Sequence, residues 1–183
     1  MKQNVLYITS RGELREWLIK NHSVEKECYV CLKRGKPSDT GAFYYIDAVE
    51  EALCFGWIDS KLTKIDGVSY QRFTKRSATS NWTELNIARC KRLEALGLMT
   101  EAGRRALPKR EFTIPQDIRE DIESLGLWER FCTFPLLYQK IRLYNLKFTK
   151  DTHGGYEAAL KHFALKTQKG EMYGQWNDYG RLE

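Results

Sequence analysis

"WIDSKLTKIDGVSYQRFTKRSATSNWTELN", residues 57–86, is the stretch that decides the fold. Two runs rich in strand-forming residues flank Asp66-Gly67, a dipeptide suited to the left-handed positions of a tight hairpin turn. Residues 57–65 and 68–75 are therefore expected to pair as antiparallel strands. On the second run Val68, Tyr70, Arg72 and Thr74 fall on one face, and Ser69, Gln71, Phe73 and Lys75 on the other. The chain then turns through Arg76, Ser77, Thr79 and Ser80 into a helix expected over 82–96, with Asn81 and Glu84 at capping-box positions. Trp82, Leu85, Leu93 and Leu96 form its apolar stripe, and Arg89 falls within it.

Working outward, Ser10 and Glu13 form a capping box ahead of a helix expected over 11–21. "ECYVCLKR" has the β-branched and aromatic content of a strand, 27–34. Asp47 and Glu50 read as a second capping box for a helix over 47–55, which Gly56 ends. Thr100 caps a short helix, "EAGRRAL". Beyond Pro115 the periodicity is helical, and "EMYGQWNDYGRLE" closes the chain with three aromatic residues that need something to pack against or to bind. These elements predict an α+β fold: a small antiparallel sheet packed with helices, followed by a helical C-terminal extension. Residues 1–110 are expected to form the α+β core and 111–183 the extension packed on it.

Bulk properties narrow the function. At 183 residues, with 42% hydrophobic and 30% charged side chains, the chain has the composition of a folded globular protein. No apolar run reaches the roughly 18–20 residues of a membrane span and no signal-like segment opens the sequence, so no membrane insertion and a cytoplasmic location are expected. Five scattered cysteines are a poor disulfide framework and fit free thiols. The net charge of +6 is unevenly spread: residues 61–110 hold twelve Lys/Arg against four Asp/Glu, a local +8, whereas 111–132 hold two against six. That concentration is either a solvated surface or a footprint for phosphate or nucleic acid.

The motifs Ala52-Leu53-Cys54-Phe55-Gly56-Trp57-Ile58-Asp59, Arg72-Phe73-Thr74 with Arg76, Ser80 with Trp82, Asn86 and Arg89, and Met99-Thr100 with Gly103 give residues 8–106 a resemblance to a known family. This stretch resembles the YdeI/OmpD-associated, or bacteriocin-protection, family. Members commonly carry proline where Lys75 stands, and a basic C-terminal helix that has no counterpart here. The resemblance implies stress tolerance, resistance to envelope-acting peptides and porin association, with no established reaction.

The residues themselves suggest an anion site. A helix N-terminus capped by Asn81, hydroxyls from Ser77 and Ser80, and the cations Arg72 and Arg76 would suit a phosphate, sulfate or carboxylate. Trp57 and Asp59 would add an aromatic wall and a polar group beside Arg72. The competing reading has Arg72 and Arg76 in internal ion pairs, with Asp59 as the obvious partner, and the hydroxyls satisfying the loop backbone. Cys28-x-x-Cys31 faces opposite sides of a strand, and His22, His153 and His162 are scattered, so no metal site is expected. Cys54 reads as a small buried hydrophobe, Glu50-Glu51 as helix surface and cap. Nucleotide-loop and hydrolase motifs are absent, and no cofactor or catalytic residue is assigned.

The expectation is thus a stress-protection-type binding protein, leaning away from an enzyme, that holds a small anionic or phosphorylated ligand. The alternatives are a nucleic-acid binder using Tyr70, Phe73 and Trp82 as stacking surfaces, or an enzyme acting on a phosphorylated metabolite with Asp59 or Asp178 as acid or base. A protein partner is also compatible with these features.

Overall fold

The structure is a computed structural model and describes residues 4–38, 41–152 and 154–182. It is α+β, with a four-stranded sheet and eight α-helices among the described residues. The chain divides into two compact units: residues 1–81 with 89–108, and residues 82–88 with 109–183.

In the first unit the sheet runs β1 (Val5–Leu6), β2 (Glu27–Val30), β4 (Val68–Lys75), β3 (Trp57–Ile65). β2–β4 and β3–β4 are antiparallel, as expected, while β1 pairs parallel to β2. The hairpin closes at Asp66 and Gly67, whose φ of 50° and 81° are what an Asn/Asp-Gly turn supplies. Strand β2 stops at Val30, shorter than expected. Helix α1 (Arg11–Asn21) carries the Ser10/Glu13 capping box, and Leu14 and Leu18 bury on its inner side. Helix α2 (Tyr45–Cys54) begins two residues before the expected start, because Asp47 is its third residue and accepts the Tyr44 N–H at 3.2 Å. Asp47 and Glu50 therefore do not form a capping box; Glu50 is buried.

One face of the sheet carries the core: Cys28, Val30, Trp57 and Phe73 are at most 1% exposed, and Val49, Ala52 and Leu53 of α2 are buried with them. Burying such side chains stabilises by about 1.5–3 kcal/mol each, before the entropy of ordering them is subtracted. Helix α4 (Glu101–Ala106) docks at the end of α2. The Cys54 carbonyl accepts both the Thr100 N–H (3.1 Å) and its hydroxyl (2.6 Å). Gly103 makes this approach possible, since a Cβ there would lie 2.3 Å from the Cys54 oxygen.

Helix α3 (Glu84–Ala95) starts two residues after the expected 82. Thr83, not Asn81, is its cap: the Thr83 hydroxyl accepts the Asn86 N–H at 3.2 Å. Its buried positions are Glu84, Asn86, Cys90 and Leu93, and Leu96 is exposed.

The second unit holds α5 (Gln116–Ser124), α6 (Trp128–Cys132), α7 (Leu136–Thr152) and α8 (Tyr156–Gln168). Ile118, Ile122, Phe131, Tyr138, Leu146 and Phe163 form its core, and Tyr173 and Trp176 of the terminal segment pack against it. Both rings meet Tyr138 edge-on, at 6.1 and 5.8 Å. Two of the tail's three aromatic rings thus pack, half-buried, against the core of the second unit.

Candidate functional site

Strand alternation separates the cations expected to act together. Arg72 lies opposite Tyr29 on the outer face of the sheet, whereas Asp59 lies opposite Phe73 on the inner one. Arg72 donates through Nε and Nη2 to Glu27 Oε2, at 2.8 and 2.5 Å. Its partner is an internal carboxylate, as the competing reading held, but Glu27 rather than Asp59. Trp57 is not a pocket wall: its ring is fully buried, meets Trp17 edge-on at 5.8 Å, and its indole N–H donates to the His22 carbonyl.

The hydroxyl loop serves itself. The Ser77 N–H donates to Ser80 Oγ at 2.8 Å, and Ser77 Oγ lies 3.1 and 3.2 Å from Thr79 Oγ1 and Ser80 Oγ. Asn81 contributes its carbonyl, which accepts Arg76 Nη1 at 2.9 Å, rather than a helix cap. The expected combination of a capped helix start with Arg72 is therefore not assembled at this loop.

A different cluster is assembled, on the inner side of the sheet around Tyr45. The Tyr45 hydroxyl donates to Asp59 Oδ2 at 2.5 Å. Burial, then the Asp59 carboxylate, pushes the Tyr45 hydroxyl up, while Arg89 and Arg34 oppose this; the phenol stays a protonated donor. Arg34 lies 4.5 Å over the Tyr45 ring, and its Nη2 donates to Gln71 Oε1 at 2.6 Å. Gln71 is itself fixed: it is 4% exposed, and its Nε2 donates to the Ser60 and Arg72 carbonyls. Arg76 sits in the field of Asp59, and burial pushes its guanidinium down to about 10 against the fields of Cys90 and Asp59. Three guanidinium groups thus act on one Tyr–Asp hydrogen bond. Beside Arg34 opens a cleft of about 240 Å³, lined also by Leu32, Leu62, Ser69 and Gln71.

Strand 57–65 carries Asp59 inward because the alternation set at Trp57 continues through it; the register then shifts between Asp59 and Leu62, which turns Leu62 to the cleft opposite Gln71. Arg34 and Tyr45 escaped sequence reasoning because no periodic pattern joins them to the hairpin.

The three buried cysteines are unsuited to nucleophilic work. Burial pushes Cys28 and Cys90 up to about 12 and Cys54 up to about 11. Among the described residues no group of three metal-ligating side chains comes together. His153 lies outside the described residues.

Of the stacking surfaces weighed for nucleic acid, Phe73 is 1% and Trp82 7% exposed, so neither offers a face. Tyr70 remains on the outer sheet face, within electrostatic reach of Tyr7, which is 90% exposed. No helix is long and apolar enough to cross a membrane among the described residues.

Fold and site together define an α+β domain with a cationic, half-buried corner on its inner sheet face, followed in sequence by a helical unit. The chain belongs to the family described as Domain of unknown function (DUF8412), whose match covers residues 6–106. No curated protein and no solved structure matches significantly.

Proposed function

We propose that the chain is a non-catalytic binding protein whose first unit takes a small anionic ligand, phosphate-bearing by preference, at the Tyr45 corner. Arg34 makes the leading contact, and Arg76 and Arg89 supply field from behind. The observation that carries this is the way Arg34 is held. Its guanidinium is fixed by the Gln71 amide and the Tyr45 ring at the rim of the 240 Å³ cleft, so little side-chain entropy is left to lose on binding. The resemblance to the YdeI/OmpD-associated family supports placing this module among cytoplasmic stress-protection proteins rather than among enzymes.

Titration with inorganic phosphate and with a sugar phosphate, followed by NMR shifts of the Tyr45 and Gln71 signals, tests the reading. Arg34→Ala is expected to weaken binding about tenfold, because it removes a charged hydrogen bond, whereas Arg72→Ala should leave affinity unchanged. Equal loss in both variants would sink the assignment to this corner.

A second reading, binding of single-stranded nucleic acid on the outer sheet face, draws support from the exposed Tyr7 within electrostatic reach of Tyr70. It demands oligonucleotide affinity that falls steeply with salt and is lost in Tyr7→Ala. Phosphate binding at the Tyr45 corner makes no such demand.

A further inference from the structure

The second unit holds a cleft of about 200 Å³ lined by Arg142, Asn145, Leu146 and Thr149 of α7, Ala159 and His162 of α8, and Tyr173 of the terminal segment. The four α7 residues stand at i, i+3, i+4 and i+7, so one face of that helix forms the floor. Arg142 is the unusual member. Only 9% exposed, it lies 4.3 Å over the Tyr173 ring and 5.2 Å over Tyr138. Its Nε is buried without a hydrogen-bond partner, and Arg142 makes no ion pair among the described residues.

A buried guanidinium without an anion is costly, because desolvation is only partly offset by two ring faces. The two rings stand at 87° to each other with centroids 6.1 Å apart, so they flank the guanidinium on adjacent sides, and its buried Nε–H is left without an acceptor. Gly174 allows the chain to pass close to the guanidinium: a Cβ there would lie 3.3 Å from Nη2. Asn145, Thr149 and His162 add polar groups around the opening, while Leu146, Ala159 and the Tyr173 ring form an apolar wall.

We propose that this cleft is a binding site for a small organic monocarboxylate of roughly benzoate size. A planar carboxylate matches the in-plane fork of Arg142 in two parallel hydrogen bonds. The hydrocarbon part lies on Leu146, Ala159 and Tyr173, and the volume suits it, since an apolar cavity of about 150 Å³ accommodates benzene. This site is separate from the Tyr45 corner and does not depend on it.

The test is calorimetric titration of the full chain with benzoate, benzamide and inorganic phosphate, with NMR of His162 and Tyr173 reporting location. Benzoate is expected to bind and to shift both signals, benzamide to bind at least about tenfold more weakly, and Arg142→Met to lose benzoate by a similar factor. Ala159→Leu fills the apolar wall without touching the charge; it is expected to exclude benzoate, and it decides the matter should Arg142→Met fail to fold. Absent benzoate binding, equal binding of benzamide, tighter binding of phosphate at the same residues, or wild-type affinity in Ala159→Leu would each overturn the proposal.

Discussion

The two units place arginines against buried groups in opposite ways. In the first, Arg11 and Arg15 of α1 and Arg92 of α3 converge on Glu50 and Glu51 of α2, two carboxylates each 1% exposed. Arg11 reaches both, donating to Glu50 at 2.7 Å and Glu51 at 2.5 Å, and Arg15 continues to the Leu98 carbonyl. In the second, Arg142 is buried beside two tyrosines and, among the described residues, no carboxylate. A cation whose lone-pair acceptors come from its own fold is architecture. A buried cation given aromatic neighbours and no carboxylate is the feature on which the proposed carboxylate site rests. The contrast also corrects the expectation that Glu50 and Glu51 are helix surface: they are the buried centre of an ion network.

That contrast is broken or upheld most strongly at Glu51. Glu51→Ala leaves Arg11 and Arg15 without their shared carboxylate, and removing one side of a buried pair typically costs about 3–5 kcal/mol. Because the arginine side chains are 28–35% exposed, the lower end of about 3 kcal/mol is expected, read as a drop in denaturant midpoint with unchanged m-value. A loss below about 1 kcal/mol would place this network with ordinary surface pairs.

Arg142→Met should behave otherwise. Methionine retains the stem volume, and the variant loses two cation–π contacts while relieving the desolvation of a charge, so the expected change in stability is about 1 kcal/mol or less in either direction. A loss as large as that of Glu51→Ala would show that Arg142 is structural in the same sense as Arg11. Thermal melts of the two variants side by side make the comparison direct.

How much of this was legible in sequence follows from which interactions are local. The hairpin and the Ser10 box were readable because an Asp-Gly turn, strand alternation and a four-residue cap are settled by neighbours in the chain. The start of α3 was misread because Asn81 and Thr83 both offer cap chemistry within three residues, and it is the Thr83 hydroxyl that accepts the Asn86 N–H. Strand β1 is two residues long and pairs in parallel with a strand more than twenty positions away, which leaves no local pattern. The Arg72 site dissolved for a period-two reason: Arg72 and Phe73 must face opposite sides, and Asp59 follows Phe73. Arg11 and Arg15 stand four residues apart on α1. The carboxylates they meet come from another helix, so the pairing itself was not readable.

The smallest effect concerns the cations of the second unit that do find carboxylates. Lys150 Nζ donates to Asp121 Oδ2 at 2.7 Å and the Tyr156 hydroxyl donates to the same oxygen at 2.6 Å. The Lys150 hydrogen bond, then that of Tyr156, holds the Asp121 carboxyl below its ordinary value against a weaker burial effect. A carboxyl with a depressed folded-state pKa stabilises the fold above its unfolded value, about 3.9, and that contribution is lost as pH falls through the folded value. Asp121→Asn should therefore be slightly less stable than wild type near neutral pH, and the gap should begin to close near the unfolded value of about 3.9 and vanish once pH is below the depressed folded value. With the side chain 35% exposed, solvent screening limits the neutral-pH gap to about 0.5 kcal/mol. Melting curves at pH 7 and pH 3 measure it. A gap that widens on acidification would mean that Asp121 stabilises through something other than its charge, and the line drawn between paired surface cations and the buried Arg142 would have to be redrawn.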